Sequence, residues 1–222
     1  MEPSLTLASM SHAVSAAATS AFQVPGSGLV SFKVAELAGA VGWTGDCGLR
    51  RITFVDATVP EVAQQLASEH FDSDCLILLQ AEPEFFNDGT GRWQALSRSC
   101  ESIEIQEAVV RGFHGCQVRQ AKCEAAASAV PTDPAFAALI KSFRTRLAPR
   151  AEELRRAADA LDVLAIQGFC HRLKGTAASY GLPALGLDAG EVEGMCKAGI
   201  GPGTIRFPAM WLVGRLMAEL GK

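Results

Sequence analysis

The sequence predicts an α+β protein, in which a C-terminal all-α part, a four-helix antiparallel bundle over 131–222, follows a less sharply patterned α/β region over 28–120. Three observations predict it. From Phe136 onward apolar residues recur at spacings of three and four, the period of helices that bury one stripe. Two short apolar runs, Arg51–Val55 and Cys75–Leu79, flank a helical pattern over Pro60–Glu69, which suggests one parallel βαβ unit. Ahead of both, residues 1–27 are rich in Ala and Ser and contain no Lys or Arg, and such a low-complexity lead is expected to be disordered.

Composition narrows the function classes. The 222 residues are 49% hydrophobic, ordinary for a globular chain with a sizeable core. A net charge of −4 is too small to argue for nucleic acid or an anionic membrane surface. Charge is uneven, however. Residues 131–222 hold 12 Lys/Arg against 9 Asp/Glu, while the preceding part holds 8 against 15. A mildly basic C-terminal part suits an acidic partner surface. The seven cysteines are odd in number and contain no CxxC, which argues against a disulfide framework or a zinc ribbon. His114, Cys116 and Cys123 lie close together but lack an evident fourth ligand. No stretch approaches the ~18 uninterrupted apolar residues of a membrane span, and a reducing cytoplasm is the expected setting.

The elements follow in order. Arg51–Val55 reads as a buried strand, and Pro60 sits in the first turn of the helix after it. Cys75–Leu79 is short enough to be a central strand. A loop with Pro83, Asn87, Asp88, Gly89 and Gly91 comes next. Ala121–Pro131 is Ala-rich and reads as a linker or a lead-in helix. Thr132 or Asp133 before Pro134 is an N-cap followed by an N1 proline. Phe136, Leu139, Ile140, Phe143 and Leu147 then form one stripe, which Leu154, Ala157, Ala158 and Leu161 continue, with Pro149 as the place of a kink or division. Asp162 opens a helix that runs to about Tyr180, where Gly181 stops it. Pro183 begins the next, which ends near Gly199. Gly201-Pro202-Gly203 reads as a turn, and Pro208–Leu220 as the last helix, with Trp211, Leu212, Leu216 and Leu220 inward.

The informative stretch is His171-Arg172-Leu173-Lys174-Gly175-Thr176. Ile166, Cys170, Leu173, Ala177 and Tyr180 share one helix face, the one to be buried. His171 lies two residues from Leu173, roughly 200° around the axis, so its imidazole is expected to point outward. Gln167, Lys174, Gly175 and Ala178 share its side. An imidazole is nucleophilic near neutral pH. Lys174, one turn on, can set a cation beside a phosphoryl group on the ring. Gly175, at i+4, removes a side chain that would crowd the ring. A glycine inside a helix costs about 1 kcal/mol relative to alanine, so clearance for an incoming surface is a reason to keep it.

These residues resemble the histidine phosphotransfer (HPt) family, whose motif is His-x-Leu-Lys-Gly-Ser/Thr with a glycine ten residues after the histidine. His171, Leu173, Lys174, Gly175, Thr176 and Gly181 match it. The resemblance covers about 90 residues. It departs from the family pattern in a glycine-rich join before the last helix and in Pro208. It implies a phosphocarrier with no ATP site of its own and no cofactor in this chain. A receiver-domain aspartate, with Mg²⁺ in the receiver's pocket, would donate the phosphoryl group to His171, and a second receiver would take it. The implied partners are response-regulator receivers and a hybrid sensor histidine kinase. In the family a Gln or Glu on the following helix hydrogen-bonds the other ring nitrogen, and Glu193 is the counterpart by position. Gln167 and Ala178 would belong to the docking patch.

Bland readings stand beside these. A lone helix histidine is usually a surface residue, Lys174 alone would be a solvated charge, and Glu193 alone would be a solvated residue or an ion-pair partner. Thr176 and Ser179 can bond back to helix carbonyls. Cys170 and Cys196 read as small core fillers.

The α/β region is open to several readings: a degenerate receiver-like domain, an unrelated α/β piece, or a segment poorly folded in isolation. Leu79-Gln80 stands where a receiver's phosphoacceptor aspartate would end its strand, and Val55-Asp56-Ala57 offers one carboxylate where a pair is expected. No GxxxxGK[ST] and no GxGxxG after a strand is present. Two other functions therefore compete with a relay. One is a non-phosphorylated HPt-like interaction module whose N-terminal α/β region is the functional part. The other is an enzyme using Asp56 and Asp88, for which no paired general acid and base can be placed on one surface.

Overall fold

The computed structural model describes residues 31–37, 40–46, 51–57, 63, 64, 66, 67, 75–84, 92–97, 100, 102–127 and 134–220. The low-complexity lead, Asp88 and the Thr132/Asp133 cap lie outside the described residues. The chain divides into two compact units. One contains residues 1–62 and 72–118, the other residues 63–71 and 119–222.

In the first unit, five strands form one sheet in the order β1 (Ser31–Leu37), β2 (Ala40–Asp46), β3 (Arg51–Asp56), β4 (Cys75–Gln80) and β5 (Trp93–Ser97). The β1–β2 and β2–β3 pairings are antiparallel. The β3–β4 and β4–β5 pairings are parallel. The two apolar runs are thus neighbouring parallel strands; in the sequence between them, Ala63, Gln64 and Leu66, which belong to the second unit, are helical. Every residue of β4 is buried, as a continuous apolar run between two parallel neighbours should be. Helix α1 (Ser102–Ala127) follows. Gln94 of β5 donates to the Ala108 carbonyl at 2.7 Å and accepts from Arg111. Of the two readings of the Ala-rich segment, linker or lead-in helix, the helical one holds as far as Ala127, where it is the end of this long helix.

The second unit is helical: α2 (Pro134–Thr145), α3 (Leu147–Asp159), α4 (Val163–Ala177), α5 (Pro183–Lys197) and α6 (Pro202–Ala218). α3 packs on α4, α4 on α5, α5 on α6 and α6 back on α3, so these four close around a shared core. Leu154, Ile166, Val192 and Trp211 are fully buried in it. The Asp162 carboxylate caps α4 by accepting from the Ala165 N–H at 3.0 Å. A single 3₁₀ turn, Ala178–Tyr180, ends that helix, and Gly181 stops it at φ 75°. The ring of Tyr180 stacks on Phe143 of α2 with centroids 4.4 Å apart.

Four expectations need correcting. The stripe before Leu161 is divided at Arg146, ahead of Pro149. Pro149 occupies the first turn of α3, where its missing N–H costs nothing, and its ring would collide with the carbonyl four residues back if the helix were continuous. The stripe on α2 is only partly covered: Phe143 is buried but Leu139 is 51% exposed. The last helix starts at Pro202 rather than Pro208, with Gly201 as its extended N-cap and Pro202 in the first turn. Pro208 lies inside it, a position that costs about 3 kcal/mol. Burial offsets that cost, because Ile205, Phe207, Met210, Trp211 and Leu212 are all interior. A helix apolar on nearly all sides is a buried one. Leu220, expected inward, lies beyond the helix end and is 37% exposed.

Candidate functional site

On α4 the periodicity decides which side chains face the core. Ile166, Phe169, Cys170, Leu173 and Ala177 are buried, and His171 falls on the other side with its side chain 72% exposed. The neighbouring helix α5 brings up Glu193, whose side chain is 2% exposed. His171 Nδ1 and Glu193 Oε1 are 2.9 Å apart. Two ammonium groups share the same carboxylate. Lys174 donates to Oε2 at 3.2 Å, and Lys197 donates to Oε1 at 2.5 Å.

This clustering fixes the protonation pattern. The Lys197 ammonium, opposed by burial and helped by His171 and Lys174, holds the Glu193 carboxyl down to about 2. An ionised carboxylate can only accept hydrogen bonds. His171 Nδ1 must therefore carry the proton in this pair, which in the neutral ring leaves the Nε2 lone pair on the side away from Glu193. Burial raises the nearby thiols, Cys170 strongly and Cys196 to about 11. They stay protonated and are poor nucleophiles, and both are buried, whereas the imidazole is exposed.

Residues 138–220 match the family model of the Hpt domain. At the family level this match supports a histidine phosphotransfer module in a phosphorelay. Hpt domains are phosphocarriers that interact with receiver domains. No curated protein and no solved structure matches the chain significantly.

The structure places the remaining expected residues as follows. Gln167 and Ala178 are half-buried, Ala178 within the 3₁₀ turn. Gly175 is exposed, but a Cβ built on it meets nothing within 4 Å, the His171 ring included. It does not relieve crowding of the ring as expected; the space beside it is open. Thr176 donates to the Arg172 carbonyl at 2.9 Å, the local back-bond of a helix hydroxyl. His114, Cys116 and Cys123 all lie on α1. Among the described residues no group of three or more His, Cys, Asp or Glu could hold a metal ion. Among them, too, no helix is long and apolar enough to cross a membrane.

Two participants were not anticipated. Lys197 lies four residues after Glu193, and that i,i+4 spacing is the signal that could have found it. Gly190 is the other. A Cβ there would sit 3.4 Å from Lys174 Cδ and 3.5 Å from Cε. That is ordinary van der Waals contact, so the lysine stem runs directly over Gly190 on its way to Glu193, and only the packing of α4 on α5 reveals it.

Proposed function

We propose that the helical unit is a phosphorelay carrier that holds a phosphoryl group on His171 Nε2. It receives the group from the aspartyl phosphate of one receiver domain and passes it to another. The reading adds that α3 to α6 form a four-helix antiparallel bundle, that a hybrid sensor kinase stands upstream, and that the relay runs in the cytoplasm. The observation that carries it is the contact between the exposed ring of His171 and the buried, ionised Glu193. In the step itself, the Nε2 lone pair forms the N–P bond while the P–O bond to the donor carboxylate breaks, and that electron pair leaves with the receiver's aspartate. The proton stays on Nδ1, and the Glu193 carboxylate that accepts it offsets the positive charge that develops on the ring. Lys174, one turn from His171 on the same helix, neutralises the phosphoryl oxygens, Lys197 keeps Glu193 ionised, and the open space beside Gly175 admits the receiver surface. Positioning and charge neutralisation are what such a transfer requires. Any Mg²⁺ would belong to the partner receiver, and this chain acts without an ATP site.

The test is transfer of label from a phosphorylated receiver to the full chain. Acid-labile, base-stable label that disappears in His171→Gln supports the relay. Label that persists in that variant, or its absence from the natural chain, returns the reading to an interaction module with an unused histidine.

A further inference from the structure

Helix α5 carries a second charged cluster on its far side. Glu191 and Glu193 are two residues apart, roughly 200° around the axis, so they address different neighbours. Glu193 faces His171, while Glu191 accepts from Arg119 Nη1 at 2.7 Å. Arg119 Nη2 reaches both Asp188 Oδ1 and the Ala184 carbonyl, the latter at 2.8 Å. Arg119, Asp188 and Glu191 have side chains only 8%, 0% and 6% exposed. Arg215 of α6 adds a guanidinium 3.7 Å from Asp188 Oδ2. Arg119 belongs to α1, upstream of the matched residues 138–220.

We infer that Arg119 is a positioning residue for the phosphotransfer site: its guanidinium grips α5 at three successive turns and so sets where Glu193 meets His171. This rests on the relay reading above. A planar fork that bonds a carbonyl and two carboxylates along one helix fixes that helix in translation and rotation, which a single ammonium cannot do. Ala184, Asp188 and Glu191 span most of α5 up to Glu193, the residue that reaches the ring. The Glu193–His171 hydrogen bond tolerates only small displacement, and small misplacement from a distant change can slow a transfer roughly 10- to 100-fold. The transfer unit then includes the end of α1 from Arg119 onward.

The experiment uses the full-length chain in four forms: natural, Arg119→Lys, Arg119→Met, and the triple variant Arg119→Met/Asp188→Asn/Glu191→Gln, which removes the buried charges together. Three quantities are read: the melting temperature, the ¹⁵N shifts of the His171 ring, and the rate of labelling by phosphoramidate. That small donor needs no docking; the N–P bond to Nε2 forms as the donor's P–N bond breaks and ammonia leaves. The expected result is a triple variant that melts near the natural chain yet shows mixed ring tautomers and labels at least roughly tenfold more slowly, with Arg119→Lys in between. Natural tautomer and rate in the folded triple variant would overturn the inference, because the cluster would then only hold the fold. If the triple variant does not fold, Arg119→Lys decides in the same way, a natural tautomer and rate overturning the inference and altered ones supporting it. Failure of the natural chain to be labelled would instead sink the relay reading, while the ring shifts still report on Arg119.

Discussion

The stem of Lys174 runs 3.4 Å from the point where a side chain on Gly190 would begin, so the lysine of one helix lies against the glycine of the next. A methyl fits at that distance, and alanine is favoured over glycine in a helix by about 1 kcal/mol. Gly190→Ala should therefore leave phosphoryl uptake unchanged and raise stability by up to about that amount. Gly190→Leu should displace the lysine and slow uptake in a chain that still folds. Thermal unfolding and label uptake on the same samples check both outcomes.

Removing the acceptor from His171 should cost rate more than fold. A hydrogen bond to a charged group contributes about 1.5–3 kcal/mol, so Glu193→Ala should label roughly 10- to 100-fold more slowly. Uptake at the natural rate would mean that the ring needs no partner.

Acid should weaken the helical unit in a defined window. Glu193 is held at about 2 against an ordinary value of 4.5. A depressed carboxylate stabilises the folded state fully above its ordinary value and loses that contribution as pH falls toward its folded one. Stability should thus decline between about pH 4.5 and 2, and less steeply in Glu193→Gln. Glu152, held at about 2 by Arg155 and Arg156, titrates over the same range, so Glu152→Gln is the necessary control. Denaturant midpoints across that range provide the measurement.

Lys197 is the largest cause of Glu193's depression. In Lys197→Met the carboxylate should titrate closer to 4.5, visible in the ¹³C shift of its carboxyl carbon. An unmoved titration would show that Lys174 and His171 suffice.

The site was legible in the sequence to the extent that it is local. His171 and Lys174 lie within one turn of one helix, where spacing alone sets orientation, whereas the clearance expected of Gly175 is not what its surroundings show. Glu193 could be found only through the family resemblance, as the position on the next helix that matches the family's ring partner. Gly190 and Arg119 could not be found, since each acts through contacts set by packing, and Arg119 meets Asp188 across 69 residues. In the fold, local rules failed where burial overrode them. Pro208 signals a helix start, yet the interior location of Ile205 and Phe207 keeps the helix running through it. The strands Trp93–Ser97 and Ser31–Leu37 lack a strong apolar alternation, and pairing with neighbours defines them instead.

The most direct test of the account is ³¹P–¹⁵N correlated NMR of the phosphorylated chain with labelled histidine. The account predicts one phosphorus coupled to Nε2 of His171, with the proton retained on Nδ1. Phosphorus on Nδ1, on another residue, or on no nitrogen at all would contradict it.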